Sequence, residues 1–202
     1  MLETWGRVRI DACPGFPEDS RGIASGCAAD QDRASDGDVS NVAIIDFEAS
    51  CLPDDGESFP IEVALAVVGG PSQSWLIKPS WHWRYWSWSD EAEALHGISR
   101  TMLQSRGLPA RQVLAELAHA AAGLDIYTDA DLDAYWLEVL CLACQAPLPF
   151  KIRYLGELFQ TMELTPPAVS SAEKAALTRL PMAHVARKDA QRLALTVQLL
   201  SS

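Results

Sequence analysis

No apolar run in this chain approaches the ~18 residues of a membrane-spanning helix, so no span is expected. Met1 to Gly15 lack the apolar stretch and small-residue cleavage site of a secretory signal, and the expected location is cytoplasmic. Cysteine is scarce. The five residues Cys13, Cys27, Cys51, Cys141 and Cys144 are an odd and scattered set, which argues against a disulfide framework. Cys141 and Cys144 form a C-x-x-C, but no second pair and no nearby histidine completes a zinc set. At helical spacing they are expected as small buried residues. Positive charge is the third shortage: 16 Lys and Arg stand against 27 Asp and Glu, a formal net charge of −11. Tight, sequence-blind binding to long duplex needs many cation–phosphate contacts and is therefore disfavoured. Contact with a strand end alone remains compatible with this balance.

What is present suits one folded domain. The chain has 202 residues, 49% of them hydrophobic, enough for a sizeable core. Residues 1–40 are the exception: rich in Gly, Asp, Ser and Ala, with Pro14 and Pro17, and without a sustained period of 2 or 3.6. They bury too little apolar surface to offset ordering entropy and are expected as a disordered or poorly structured leader to a domain over 41–202.

Within that domain, Val42-Ala43-Ile44-Ile45 is a continuous apolar run of the kind a buried strand shows. Pro60 to Val68 and Trp75 to Ile77 follow as strands, punctuated by Gly69-Gly70-Pro71 and Pro79. Ser99 is placed to cap a helix to Arg106, and Pro109 opens another through Ala121. A strand at Asp125 to Tyr127, a helix from about Asp131 to Ala143, a strand at Lys151 to Tyr154 and helices near 171–179 and 185–200 complete the expectation. Three successive strands, then helices alternating with strands, predict an α/β fold with a mixed five-stranded sheet flanked by helices.

Three acidic stretches carry the chemistry. Alternation puts Asp46 and Glu48 on one face of the first strand, and paired carboxylates repel unless cations or protons neutralise them. Oxygen ligands of this kind suit Mg²⁺ or Mn²⁺. Asp133 stands early in a helix, where a negative charge is favoured by the helix dipole; Asp129 and Asp131 compete for the capping position, with Asp129 the better placed. His184 precedes the last helix and Asp189 lies inside it. A loop imidazole can accept a proton near neutrality, whereas a helical carboxylate is held still as a ligand needs to be. Lys174, Arg179, Arg187, Lys188 and Arg192 gather around this third stretch, as on a solvated helix face.

Together these motifs resemble the DEDDh 3′–5′ exonucleases of the RNase T and polymerase-proofreading superfamily, on a ribonuclease H-like fold. The likeness runs from about Asn41 to Leu200. Ile45-Asp46-Phe47-Glu48-Ala49-Ser50 resembles the first motif, Tyr127 through Asp133 to Leu137 the second, and His184-x-Ala186-x-x-Asp189-Ala190 the third. Phe59-Pro60-Ile61-Glu62-Val63 and the His96-Gly97-Ile98-Ser99 turn are similar to further family segments.

The resemblance implies two divalent ions, Mg²⁺ or Mn²⁺, held by Asp46, Glu48, Asp133 and Asp189, with His184 as general base and nucleoside 5′-monophosphates as products. The implied partners are 3′ ends of single-stranded RNA or DNA, short oligonucleotides included, with no membrane; a second copy of the chain, forming a homodimer, is also entertained. Many relatives carry Gly where Cys51 stands, which puts the shape of the 3′ pocket at issue. Leu52, Trp86 and Ile98 are chosen as nucleotide contacts. Trp81, Trp83, Tyr85, Trp86 and Trp88, with His82, offer rings for base stacking or, alternatively, for packing under the following helix. Two other readings stand beside the free enzyme: a proofreading or accessory subunit dependent on a partner, and a noncatalytic nucleic-acid-binding module on the same fold.

Overall fold

Alternation along the first strand sorts the molecule into layers. A computed structural model of the chain describes residues 39–181 and 184–202. The leader expected over 1–40 lies, but for its last two residues, outside the described residues. Strand β1 (Val42–Ala49) turns Ala43, Ile45, Phe47 and Ala49 to one side, and Val42 and Ile44 to the other. Both sides are covered, which is why this strand reads as a continuous apolar run.

Strands β2 (Pro60–Val67), β3 (Ser72–Lys78), β4 (Leu108–Pro109), β5 (Asp125–Thr128) and β6 (Ile152–Tyr154) complete a six-stranded sheet of order β4-β3-β2-β1-β5-β6. The pairs β1–β2 and β2–β3 are antiparallel, while β1–β5, β5–β6 and β3–β4 are parallel.

Helices α1 (Asp90–His96), α2 (Arg100–Arg106), α3 (Ala110–Ala120) and α4 (Leu132–Cys144) follow β3, with β4 and β5 between the last of them. Leu103, Val113, Leu117, Leu137 and Leu140 pack on the Ile45–Phe47 side. Helices α5 (Leu155–Thr161), α6 (Pro166–Arg179) and α7 (Ala186–Leu200) come last. Ala186, Ala190 and Ala194 recur every fourth position of α7, and these small side chains let the helix lie close against Ile44, Ala64 and Ala66. No helix among the described residues is long and apolar enough to cross a membrane.

Local signals explain some boundaries. Ser89 and Ser99 cap α1 and α2 by accepting the amides of Ala92 and Met102. Gly97 ends α1 at φ 72°, the left-handed conformation that favours glycine. Cys141 and Cys144 are buried, as expected for small core residues.

Four expectations need correction. The sheet has six strands, not five, because Leu108-Pro109 pairs with Ile77-Lys78 before α3 begins. Gly107 permits that approach: a Cβ there would lie 2.5 Å from the Leu103 carbonyl oxygen and 2.7 Å from the Lys78 nitrogen. Helices α1 and α5 were not anticipated. Helix α6 starts at Pro166 rather than near Ser171, with prolines in its first turn where their missing N–H costs nothing. Asp131, not Asp129, occupies the N-cap of α4, and its side chain makes no capping bond.

Candidate active site

Strand β1 outlasts its parallel neighbour. The β1–β5 register covers only Val42 to Ile44 against Asp125 to Tyr127, whereas β1 stays paired with β2 as far as Ala49. On its β5 side β1 runs on unpaired beyond the carboxyl end of β5, the end at which open α/β sheets offer binding sites. Phe47 has lost a strand partner on that side, and its amide donates to Asp133 Oδ1 at 3.0 Å. The Thr128 hydroxyl donates to Asp133 Oδ2. Asp133 is only 1% exposed. The start of α4 thus brings its acid against the unpaired edge of β1.

Asp46 and Glu48 alternate with Ile45 and Phe47 and so share the α7 side of the sheet with Ile44. Asp189 comes to that side from the first turn of α7. Its Oδ2 accepts the Val185 amide at 3.2 Å and its Oδ1 accepts from the Arg192 guanidinium.

The electrostatics show how closely the carboxylates crowd. Burial raises Asp46 well above the usual carboxylate range, and the charges of Asp133, Glu48, Asp129 and Asp189 raise it further. Burial pushes Glu48 up to about 8, with Glu62 and Asp189 adding repulsion. Asp133 is likewise raised to about 8, chiefly by burial and then by Asp129 and Glu48, against the pull of the Thr128 and Phe47 hydrogen bonds. The charges of acids from β1, α4 and α7 thus all bear on Asp46.

A divalent ion suits this donor set. The groups are hard oxygen donors, and a dication would relieve their mutual repulsion. Among the described residues, no three His, Cys, Asp or Glu side chains are arranged around one ion position. Asp133 and Asp189 already accept bonds on both oxygens, though a carboxylate oxygen keeps a further lone pair.

His184 is half-buried and holds φ 46°, a left-handed conformation uncommon outside glycine, two residues before α7. Among the described residues it makes no hydrogen bond or ion pair to the four carboxylates. Leu52 is 38% exposed on the loop after β1. Trp86 is half-buried against the first core layer. Cys51 is buried, its Sγ 3.9 Å from the Glu57 carbonyl oxygen, so its side chain is tucked into its own loop.

Ile98 lines an open cavity of about 550 Å³ together with Glu62, Ser74, Leu76, His96 and Val185. Its ionisable residues Glu62 and His96 were not singled out as site residues from sequence. Glu62 lies directly opposite Glu48 in the β1–β2 register. Its Oε2, like His96 Nε2, is buried without a hydrogen-bond partner among the described residues. His96 Nδ1 accepts the Ile98 amide at 3.0 Å, which places the neutral ring's proton on Nε2. Burial raises Glu62, while Ser74, the Ala186 amide and Arg187 draw it back. An acid in an otherwise apolar strand was the available signal.

This architecture has counterparts among solved structures. It is similar to a full-length 3′-exonuclease crystal structure, with TM-score 0.57 and 20% identity over 79% of this chain and 60% of that one. A 3′-exonuclease solved for 3′-end specific recognition of a histone mRNA stem-loop gives TM-score 0.60 and 18% identity, over 84% of this chain and 67% of that one. Exonuclease I of E. coli in complex with a dA16 oligonucleotide gives 0.58 and 13%, over 78% of this chain and 40% of that one. The chain thus spans less than two thirds of the first structure's length. At these identities the likeness is one of fold, and the ribonuclease H-like α/β class expected above holds, with six strands. No protein-family model matches the chain, and no curated protein does.

Proposed function

We propose that this chain is a metal-dependent 3′–5′ exonuclease of the DEDDh type, acting on single-stranded RNA or DNA ends and releasing nucleoside 5′-monophosphates. One observation supports the reading: carboxylates from β1, α4 and α7 all act on Asp46, whose proton affinity burial raises first and Asp133, Glu48 and Asp189 raise further. Asp46, Glu48, Asp133 and Asp189 would hold two divalent ions, Mg²⁺ or Mn²⁺. Such ions, when bound, supply an activated water and stabilise the leaving 3′ oxygen.

The chain's own residues do the rest. His184 takes the proton of the attacking water, and its place just outside α7 gives it the freedom that Asp133, fixed by two hydrogen bonds, lacks. Leu52, Ile98 and Trp86 contact the terminal nucleotide. The excess of acidic residues favours a short or frayed strand over long duplex. The solved neighbours include one bound to dA16 and one recognising an mRNA stem-loop, which supports a nucleic-acid 3′ end as substrate.

Matched 5′-labelled RNA and DNA oligomers incubated with Mg²⁺, Mn²⁺ or EDTA test the proposal. A ladder shortening from the 3′ end, absent in EDTA, is expected. Intact oligomers under every condition would refute it.

A further inference from the structure

We propose that Arg192 is a built-in counter-cation of the carboxylate cluster, which a divalent ion must displace from Asp189 in order to bind. This rests on the metal-site reading above and concerns a residue that reading does not use. The pair is nearly dry: the side chains of Arg192 and Asp189 are 14% and 11% exposed. The guanidinium holds Oδ1 of Asp189, and the Val185 amide holds Oδ2. The charge of Arg192 also reaches Asp129.

The neighbouring cations are otherwise placed. Arg187 is committed to Ser72, with Nε 3.1 Å from the hydroxyl and Nη2 2.9 Å from the carbonyl oxygen. It also acts on Glu62. Lys188 is exposed. Arg192 is therefore the cation that neutralises this end of the cluster among the described residues.

An exposed pair at this helical spacing would contribute little. Here both partners are shielded from water, and one is a group the metal needs. A guanidinium and a dication cannot share one carboxylate oxygen without strong repulsion in such surroundings. Occupancy by one thus opposes occupancy by the other, and Arg192 sets how much free metal the site requires.

Titration calorimetry with Mn²⁺ on the full chain tests this, using wild type, Arg192→Gln and Lys188→Gln. Arg192→Gln should bind about tenfold more tightly, as expected from losing one competing charge-assisted bond. Its Tm in EDTA should fall, and Mn²⁺ should raise that Tm further than in wild type. Lys188→Gln removes the same charge one turn away without touching Asp189 and should change binding less than threefold, a roughly screened surface effect. Unchanged or weaker Mn²⁺ binding by Arg192→Gln overturns the proposal alone, as does equal tightening in Lys188→Gln. No Mn²⁺ binding by any form removes the metal-site reading and this proposal together. If Arg192→Gln does not fold, Arg192→Lys keeps the charge but loses the fork; a shift of the same sign and smaller size is expected, and no shift overturns the idea.

Discussion

Phe47 and Asp133, 86 positions apart, are joined by a 3.0 Å hydrogen bond from the amide of the first to a carboxylate oxygen of the second. The bond exists because β5 stops short of β1, so a strand amide that would otherwise pair with a strand is left to a helix side chain. The early end of β5 thereby leaves an edge of β1 to which α4 brings an acid. Asp133→Asn keeps an acceptor for that amide and should retain the fold while abolishing Mn²⁺-dependent mononucleotide release. Asp133→Ala should do the same to activity and also cost about 1–3 kcal/mol, the penalty for a buried N–H left unpaired. Denaturant melts of the two variants distinguish these outcomes; equal stability would show that the bond is not needed for folding.

The crowded acids make stability depend on pH in an unusual direction. Glu48 rises from its ordinary 4.5 to about 8, and Asp133 from 3.8 to about 8. The folded protein therefore retains protons that the unfolded chain has released. By linkage, that contribution to stability is complete below about pH 4 and is lost as pH rises toward about 8. In EDTA, Tm should fall from pH 5 to pH 8, and Glu48→Gln should reduce the slope. With Mn²⁺ present the trend should weaken or reverse, because metal binding improves as carboxylates deprotonate. A Tm in EDTA that climbs across the interval would contradict the raised proton affinities.

Much of this was legible in the chain. Period-2 alternation places Asp46 and Glu48 together whatever covers the strand, and the three-strand meander needs only its Gly and Pro punctuation. Helix α1 was equally signalled, by Ser89 at its start and Gly97 at its end, but the tryptophan-rich run before it obscured the pattern. Strand β4 was not legible: two residues carry no period, and their pairing depends on a close approach at Gly107. The bond from Arg192 to Asp189 was hidden for a related reason. An acid and a base three apart on a helix look like an exposed pair until burial is known.

The aromatic stretch divides into two populations. Trp83 is 1% exposed and stacks on Phe59 at 5.4 Å between ring centroids, and Trp86 leans on it at 6.4 Å. Trp81 and Tyr85 are 65% and 83% exposed, with the Arg84 guanidinium 4.6 and 4.5 Å from their ring centres. Trp86→Ala should therefore cost about 2 kcal/mol of stability, roughly half the loss for a fully buried ring. Trp81→Ala should leave Tm nearly unchanged and weaken oligonucleotide binding by about 1–3 kcal/mol if a base stacks there. Melting curves and fluorescence anisotropy on the same two variants assess both statements. Loss of oligonucleotide affinity confined to Trp86→Ala, without loss of Tm, would show that Trp86 serves as a nucleotide contact and not as packing.

His184 is the proposed catalytic group that stands outside any helix or strand. Its φ of 46° turns the chain just ahead of α7, so replacement can alter both the turn and the chemistry. His184→Asn separates the two, because asparagine tolerates the left-handed region and lacks an imidazole's basicity. His184→Asn should keep Tm within a few degrees and lower turnover by about 10²–10⁴-fold, the usual contribution of a general base. The loss should appear in kcat with little change in oligonucleotide affinity, since the group acts on the water rather than on the strand. A loss below tenfold would move the base elsewhere. His96, an alternative imidazole that lines the cavity beside Ile98, is a poor substitute: burial lowers its pKa, its Nδ1 is occupied by the Ile98 amide, and it serves the turn first.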